Sequence, residues 1–220
     1  MLRELQERQI QAQKDAGRGI EGNWLVIADK SGSQTLGIEL GKAVAAAIAK
    51  FVGGSVWLVF CDTGAAGFEV TGMSLEQIRE RAKYIQAGGG TSYGVGLEWA
   101  CKQNLDGIAI VGDGAENSVP VFAQIYVGYR QASGKNPPVY LYQTASTESA
   151  INCGEFKRRM DQAGCAFTPF DLTHGQVDYY SIPNLVQTMN ASRFGVVEKV
   201  MASPLVSLDQ VLPRVTAAGR

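Results

Sequence analysis

The chain has a single histidine, and its four cysteines, Cys61, Cys101, Cys153 and Cys165, include no Cys-x-x-Cys pair. That removes the zinc-type clusters, which gather imidazole and thiolate ligands at short spacing. No apolar run approaches the roughly 20 residues needed to cross a bilayer. The polar stretch from Met1 to Gly19 lacks the apolar centre of a secretory signal. An excess of one charge is also missing: 20 Lys and Arg against 21 Asp and Glu leave a formal net charge of −1. With the basic residues scattered, there is no electrostatic case for nucleic acid or a membrane surface as the main partner. No proline-rich linker and no internal repeat divides the chain.

What is present is an ordinary globular composition, 45% apolar and 19% charged over 220 residues, enough for one sizeable α/β domain. Cys61 and Cys101 lie inside apolar segments and read as small buried hydrophobes, so a reducing, cytoplasmic setting is expected. Short, nearly continuous apolar runs alternate with helical periodicity along the chain. Trp24 to Ala28, Val56 to Phe60, Ile108 to Val111 and Val139 to Tyr142 suit strands buried on both faces. Phe68-Glu69-Val70 has the makings of a brief edge strand, and Ala166-Phe167 leads into a last short one.

Between these runs, Leu36, Leu40, Val44, Ile48 and Phe51 recur at helical spacing up to Gly53-Gly54. Ser74 and Gln77 have the spacing of a capping box, opening a helix with Leu75, Ile78 and Ala82 on one face and Gly88-Gly89-Gly90 as its breaker. A helix is expected from about Thr91 to Lys102 with Tyr93, Leu97, Ala100 and Cys101 on one side. Another holds Val121, Phe122, Ile125 and Tyr129, with Pro120 in its first turn. Phe156, Met160 and Ala163 mark a helix starting near Asn152 and Glu155, and Ile182, Leu185, Val186 and Met189 mark a last one. This regular alternation predicts a doubly wound, mostly parallel central sheet flanked by helices, with room for one short antiparallel edge strand. Residues 1–22 read as a charged helix or arm, 23–190 as the domain, and 191–220 as a tail.

In an open parallel sheet, ligands sit beyond the carboxyl ends of the strands. The first strand runs into Asp29-Lys30-Ser31-Gly32-Ser33, and the strand from Ile108 runs into Gly112-Asp113-Gly114. Thr91 follows a glycine turn and opens the helix that leads to the Ile108 strand. If those two strands are neighbours, Asp29, Ser31, Ser33, Thr91 and Asp113 can converge. Two carboxylates and three hydroxyls form a hard, all-oxygen set that favours Mg²⁺, with Mn²⁺ or Ca²⁺ as alternatives, over zinc or copper.

With those residues in that order, the sequence resembles the von Willebrand factor A (vWA) family with its metal-ion-dependent adhesion site. Asp29, Ser31 and Ser33 match the family's Asp-x-Ser-x-Ser, Thr91 its later threonine, and Asp113 its second aspartate. The resemblance implies a Rossmann-like fold in which serines and threonine contact the cation and the aspartates act directly or through water. It also implies a protein partner that presents Asp or Glu to the metal, and a last helix, here about Tyr180 to Asn190, able to move with ligation. The run Gly88 to Trp99 and Tyr180-Ser181-Ile182-Pro183 are most similar to the A domain of Ro-type (TROVE) ribonucleoproteins. Those carry a helical ring for small RNAs, which this chain has no room for, so direct RNA binding is not expected.

Blander roles compete at each position. Ser31, Ser33 and Thr91 can each simply cap a helix, Asp113-Gly114 can be a turn, and Asp62 either supports the site or caps its own loop. Lys30 either tunes partner choice by its charge or is solvated. Tyr93 either flanks the site or, as is usual, faces the core, and His174 reads as a surface residue. The competing function is a metal-assisted hydrolase or phosphatase on the same oxygens. Against it stand the absence of a Gly-x-Ser-x-Gly elbow, of a P-loop lysine motif and of paired histidines. A binding module is therefore expected rather than an enzyme.

Overall fold

The computed structural model describes residues 21–144 and 149–171, with only the backbone at 149, 150 and 171. The expectations for the N-terminal arm up to residue 20, His174, the helix around 180–190 and the tail fall outside the described residues. The elements run β1 (Asn23–Asp29), α1 (Thr35–Phe51), β2 (Val56–Cys61), β3 (Ala65–Glu69), α2 (Leu75–Arg81), α3 (Tyr93–Trp99), β4 (Leu105–Gly112), α4 (Phe122–Ser133), β5 (Val139–Gln143), α5 (Ser149–Gln162) and β6 (Phe167–Asp171).

One six-stranded sheet has the order β3-β2-β1-β4-β5-β6. All its pairings are parallel except β3 against β2, so the edge strand is the antiparallel one. The apolar strands alternate between two cores. Trp24, Val26 and Ala28 of β1, Leu58 and Phe60 of β2, and Tyr140 and Tyr142 of β5 pack with Ile38, Val44 and Ile48 of α1 and Ile78 of α2. Leu25, Ile27, Val59, Ile108 and Ile110 face the other way, onto Leu97 of α3, Phe122 and Tyr126 of α4, and Phe156 and Met160 of α5. Both faces of the central strands are thus dry, which is why their sequences read as continuous apolar runs. Each fully buried Leu or Ile side chain stabilises the fold by about 1.5–3 kcal/mol.

Several local readings need correction. Leu36 is half exposed rather than on the packed stripe, and α1 takes its first turn from Gln34, whose side chain accepts from the Thr144 hydroxyl at 2.8 Å. The capping box at Ser74 and Gln77 forms, yet α2 stops at Arg81 with the buried Ala82 as its C-cap, well before the glycine run, and Ile85 and Ala87 beyond it pack against the core. α3 is shorter than its periodicity implies: Ser92 caps it, Thr91 lies outside it, and Cys101 beyond its end is exposed instead of buried. Pro120 precedes α4 rather than entering its first turn, and α5 begins at Ser149, ahead of Asn152. Among the described residues no helix is long and apolar enough to cross a membrane.

Candidate functional site

The sheet order makes β1 and β4 direct neighbours, with Ala28 opposite Val111. Asp29 and Asp113 therefore leave adjacent strands at the same edge. Asp29 is fully buried, and Ser31, Thr91 and Asp113 are nearly so. Asp29 Oδ1 accepts the Ser31 N–H at 2.8 Å, and the Ser31 hydroxyl also bonds to this carboxylate. Asp113 turns its Oδ1 to the N–H of Ala115 at 2.9 Å, an Asx turn that holds it at the mouth of the loop.

The Thr91 loop is laced to the Asp29 loop by its backbone. Gly88 N–H donates to the Lys30 carbonyl at 2.8 Å, and Gly32 N–H to the Gly89 carbonyl at 3.2 Å. Gly89 sits at φ +74°, beside Asp62, where a side chain would be strained. On its other side, Thr91 N–H donates to Asn117 Oδ1 at 2.8 Å, and its carbonyl accepts from Asn117 and Ser118 N–H at 3.1 and 3.0 Å. Asp29, Ser31, Thr91 and Asp113 are thereby gathered at one edge. Ser33 is exposed on the turn after Ser31, and among the described residues no hydrogen bond ties its side chain to the other four.

Two residues do more here than their sequence positions suggest. Tyr93 is both things at once: its ring is in the core, and its hydroxyl donates to Asp29 Oδ2 at 3.0 Å while accepting from Gly114 N–H at 3.3 Å. Only glycine fits at 112, since a Cβ there would stand 2.4 Å from that hydroxyl and 2.9 Å from Asp29 Cβ. Glu116 is buried between helices. Its Oε1 accepts from Tyr93 N–H at 3.0 Å and Phe122 N–H at 2.8 Å, capping α3 and α4 together. Among the described residues its Oε2 has no hydrogen-bond partner, and it faces Arg159 at 3.8 Å. A buried glutamate three residues past a strand-end aspartate, before Pro120, was the available signal.

The electrostatics follow from this burial. Desolvation pushes Asp29 up to about 6, against the pull of the Ser31 and Tyr93 bonds, and the nearby Asp113 charge adds to the rise. Desolvation likewise lifts Glu116 to about 7, and holds the Tyr93 phenol well above its usual range with Asp29 and Asp113 beside it. Lys30 pairs with Asp62 instead of with either carboxylate. Burial alone would raise Asp62, but the Lys30 ammonium and the Gly64 N–H outweigh it and hold Asp62 low. Asp62 thus fills both suggested roles in part, accepting from Gly64 in its own loop and, through its carbonyl, from Ser92 N–H at 2.8 Å.

Asp29 is desolvated and feels the nearby Asp113 charge, and no described Lys or Arg is paired to either carboxylate. Among the described residues no cluster of three or more His, Cys, Asp or Glu side chains is arranged to hold a metal. A cation here would depend on hydroxyl as well as carboxylate oxygen, which suits a hard ion and no other.

No protein-family model matches the chain, and no curated protein matches it. Solved structures do. An aerotolerance-related membrane protein from Bacteroides fragilis, carrying multiple mutations to serine, superposes with a TM-score of 0.52 at 11% identity, over 78% of this chain and 97% of that one. A von Willebrand factor type A protein from Catenulispora acidiphila gives 0.50 at 16% identity, over 80% of this chain and 43% of that one. At such identities the likeness is one of fold: a vWA-like sheet with its helices on both sides.

Proposed function

We propose that this vWA-like fold serves as a divalent-cation-dependent protein-binding module. The observation that supports the reading is the approach of Asp29, Ser31 and Asp113 at the carboxyl edge of two adjacent strands, with the loop before Thr91 laced to the Asp29 loop by backbone hydrogen bonds. Asp29, Ser31, Thr91 and Asp113, with Ser33 on the exposed turn, would hold Mg²⁺, or Mn²⁺ or Ca²⁺ in its place. A bound cation supplies a positive centre with room for an outside carboxylate, so the partner is a protein that offers Asp or Glu. These residues are read as binding and orienting, and the module as non-enzymatic.

A connection to a Ro-like ribonucleoprotein system is part of the proposal only through the sequence likeness of Gly88 to Trp99 and Tyr180-Ser181-Ile182-Pro183, and direct nucleic-acid binding is not. A cytoplasmic location is part of the proposal through Cys61 and Cys165, which serve as small buried hydrophobes of the core.

Affinity capture in Mg²⁺ and again in EDTA, with Asp29→Ala as the blank, tests the reading. A partner retained only by the wild type and only in Mg²⁺ is expected. Retention that ignores EDTA sinks the proposal, and Mg²⁺-dependent phosphatase turnover abolished in Asp29→Ala would replace it with the hydrolase.

A further inference from the structure

Of the groups around Asp29, the Tyr93 hydroxyl touches both strand-end loops, at Asp29 Oδ2 and at the Gly114 N–H. The other oxygen of Asp29 is taken by Ser31 N–H. Both oxygens of one carboxylate are thereby committed to fixed donors, and the loop carrying Asp113 is tied to the same hydroxyl through Gly114. The ring that carries the hydroxyl has little freedom of its own: it is fully buried, edge-on to Phe156 with centroids 5.7 Å apart, and its backbone N–H is clamped by Glu116.

Resting on the cation reading above, we propose that Tyr93 is a positioning residue whose hydroxyl fixes the spacing of the Asp29 and Asp113 loops and so favours Mg²⁺ over Ca²⁺. The physical basis is the difference between the two ions. Mg²⁺ demands near-octahedral geometry with bonds of about 2.0–2.1 Å, whereas Ca²⁺ accepts about 2.3–2.6 Å in a loose shell of six to eight oxygens. A frame pinned on both sides rewards the small, strict ion. A frame able to widen loses that preference without losing its charge.

Calorimetric titration of the whole chain with MgCl₂ and with CaCl₂, comparing wild type with Tyr93→Phe, tests this. Phenylalanine keeps the ring and its packing and removes only the hydroxyl. The Mg²⁺ Kd is expected to rise about tenfold, the usual scale for losing a partner behind a metal ligand, while the Ca²⁺ Kd moves by no more than about twofold. The Gly114 amide proton should shift upfield in the same variant as its bond is lost. An unchanged Mg²⁺-to-Ca²⁺ ratio, whether both affinities hold or both fall together, overturns this inference and leaves the cation reading standing. A wild type that takes up neither ion overturns both. Should Tyr93→Phe not fold, Phe156→Leu loosens the packing that fixes the ring and touches no proposed ligand, and an unchanged ratio there is equally fatal.

Discussion

Replacing Glu116 with glutamine changes one proton and almost nothing else, which makes it a sharp probe of how this site is held. In the folded chain the carboxylate is lifted from 4.5 to about 7, chiefly by desolvation. A group whose folded pKa lies above its unfolded one stabilises the fold least when ionised, so stability is lost as pH rises through this window. At about 1.4 kcal/mol per unit, the loss between pH 4.5 and 8 amounts to about 3 kcal/mol. Glu116→Gln keeps an oxygen for the Tyr93 and Phe122 N–H groups and does not ionise. Its advantage over wild type should therefore grow by about 3 kcal/mol across that range, less whatever the weak approach of Arg159 returns at 3.8 Å. Urea unfolding of both proteins in EDTA, at half-unit steps of pH, measures the difference directly. Asp29 also titrates in this window but does so in both proteins, and it cancels. Parallel stability curves, separated by a constant, would refute the reasoning by showing that Glu116 does not change its charge where the burial argument says it must.

Asp29→Asn should show a trade of stability for binding. Removing a carboxylate pushed up to about 6 relieves about 3 kcal/mol at pH 8. The new amide donor lies among the existing donors from Ser31 and Tyr93, which returns about 1 kcal/mol. The variant should unfold at higher urea than wild type in EDTA, yet show no thermal shift with Mg²⁺; a lower urea midpoint would contradict the burial argument. Gly41→Ala pits helix propensity against space. Alanine favours α1 by about 1 kcal/mol, but its Cβ would stand 2.3 Å from Ala28 Cβ on a strand with no room to retreat, costing about 1–3 kcal/mol. A net loss is expected, recovered in the Gly41→Ala/Ala28→Gly pair; stabilisation by the single change would mean that α1 slides freely over β1.

The fold was legible because the central strands are dry on both faces. Val26 and Leu25 pack into different layers, yet both are apolar, so each strand announces itself as an unbroken run and the intervening helices by their 3.6 period. The readings that failed lie where tertiary contact ends an element that its own sequence would prolong. α2 stops at Arg81 and α3 at Trp99, although nothing local marks either stop, and Cys101 is apolar company without being core. α1 shows the reverse case: Gln34, which precedes its first residue, spends its side chain on Thr144, 110 positions away, a partner that no local pattern names.

The site divides along the same line. Asp29, Ser31, Thr91 and Asp113 were visible because strand ends are visible, and the one condition placed on them, adjacency of the two strands, is a matter of topology that the sheet order meets. The groups that hold these residues were harder to read, with Tyr93 open between site and core and Glu116 not singled out, since each acts through a contact with no sequence spacing. Tyr93 lies 64 positions from the carboxylate to which it donates, and Glu116 is 23 from the amide it caps. Ser33 matches the motif yet stands exposed and unlinked, whereas Tyr93 matches nothing in the motif and joins both loops. Under the proposed cation reading, donor identity is written locally, in which oxygens follow which strand, and donor geometry in the buried groups behind them. On that reading, a substitution there would alter which ion the donors suit without touching a single donor.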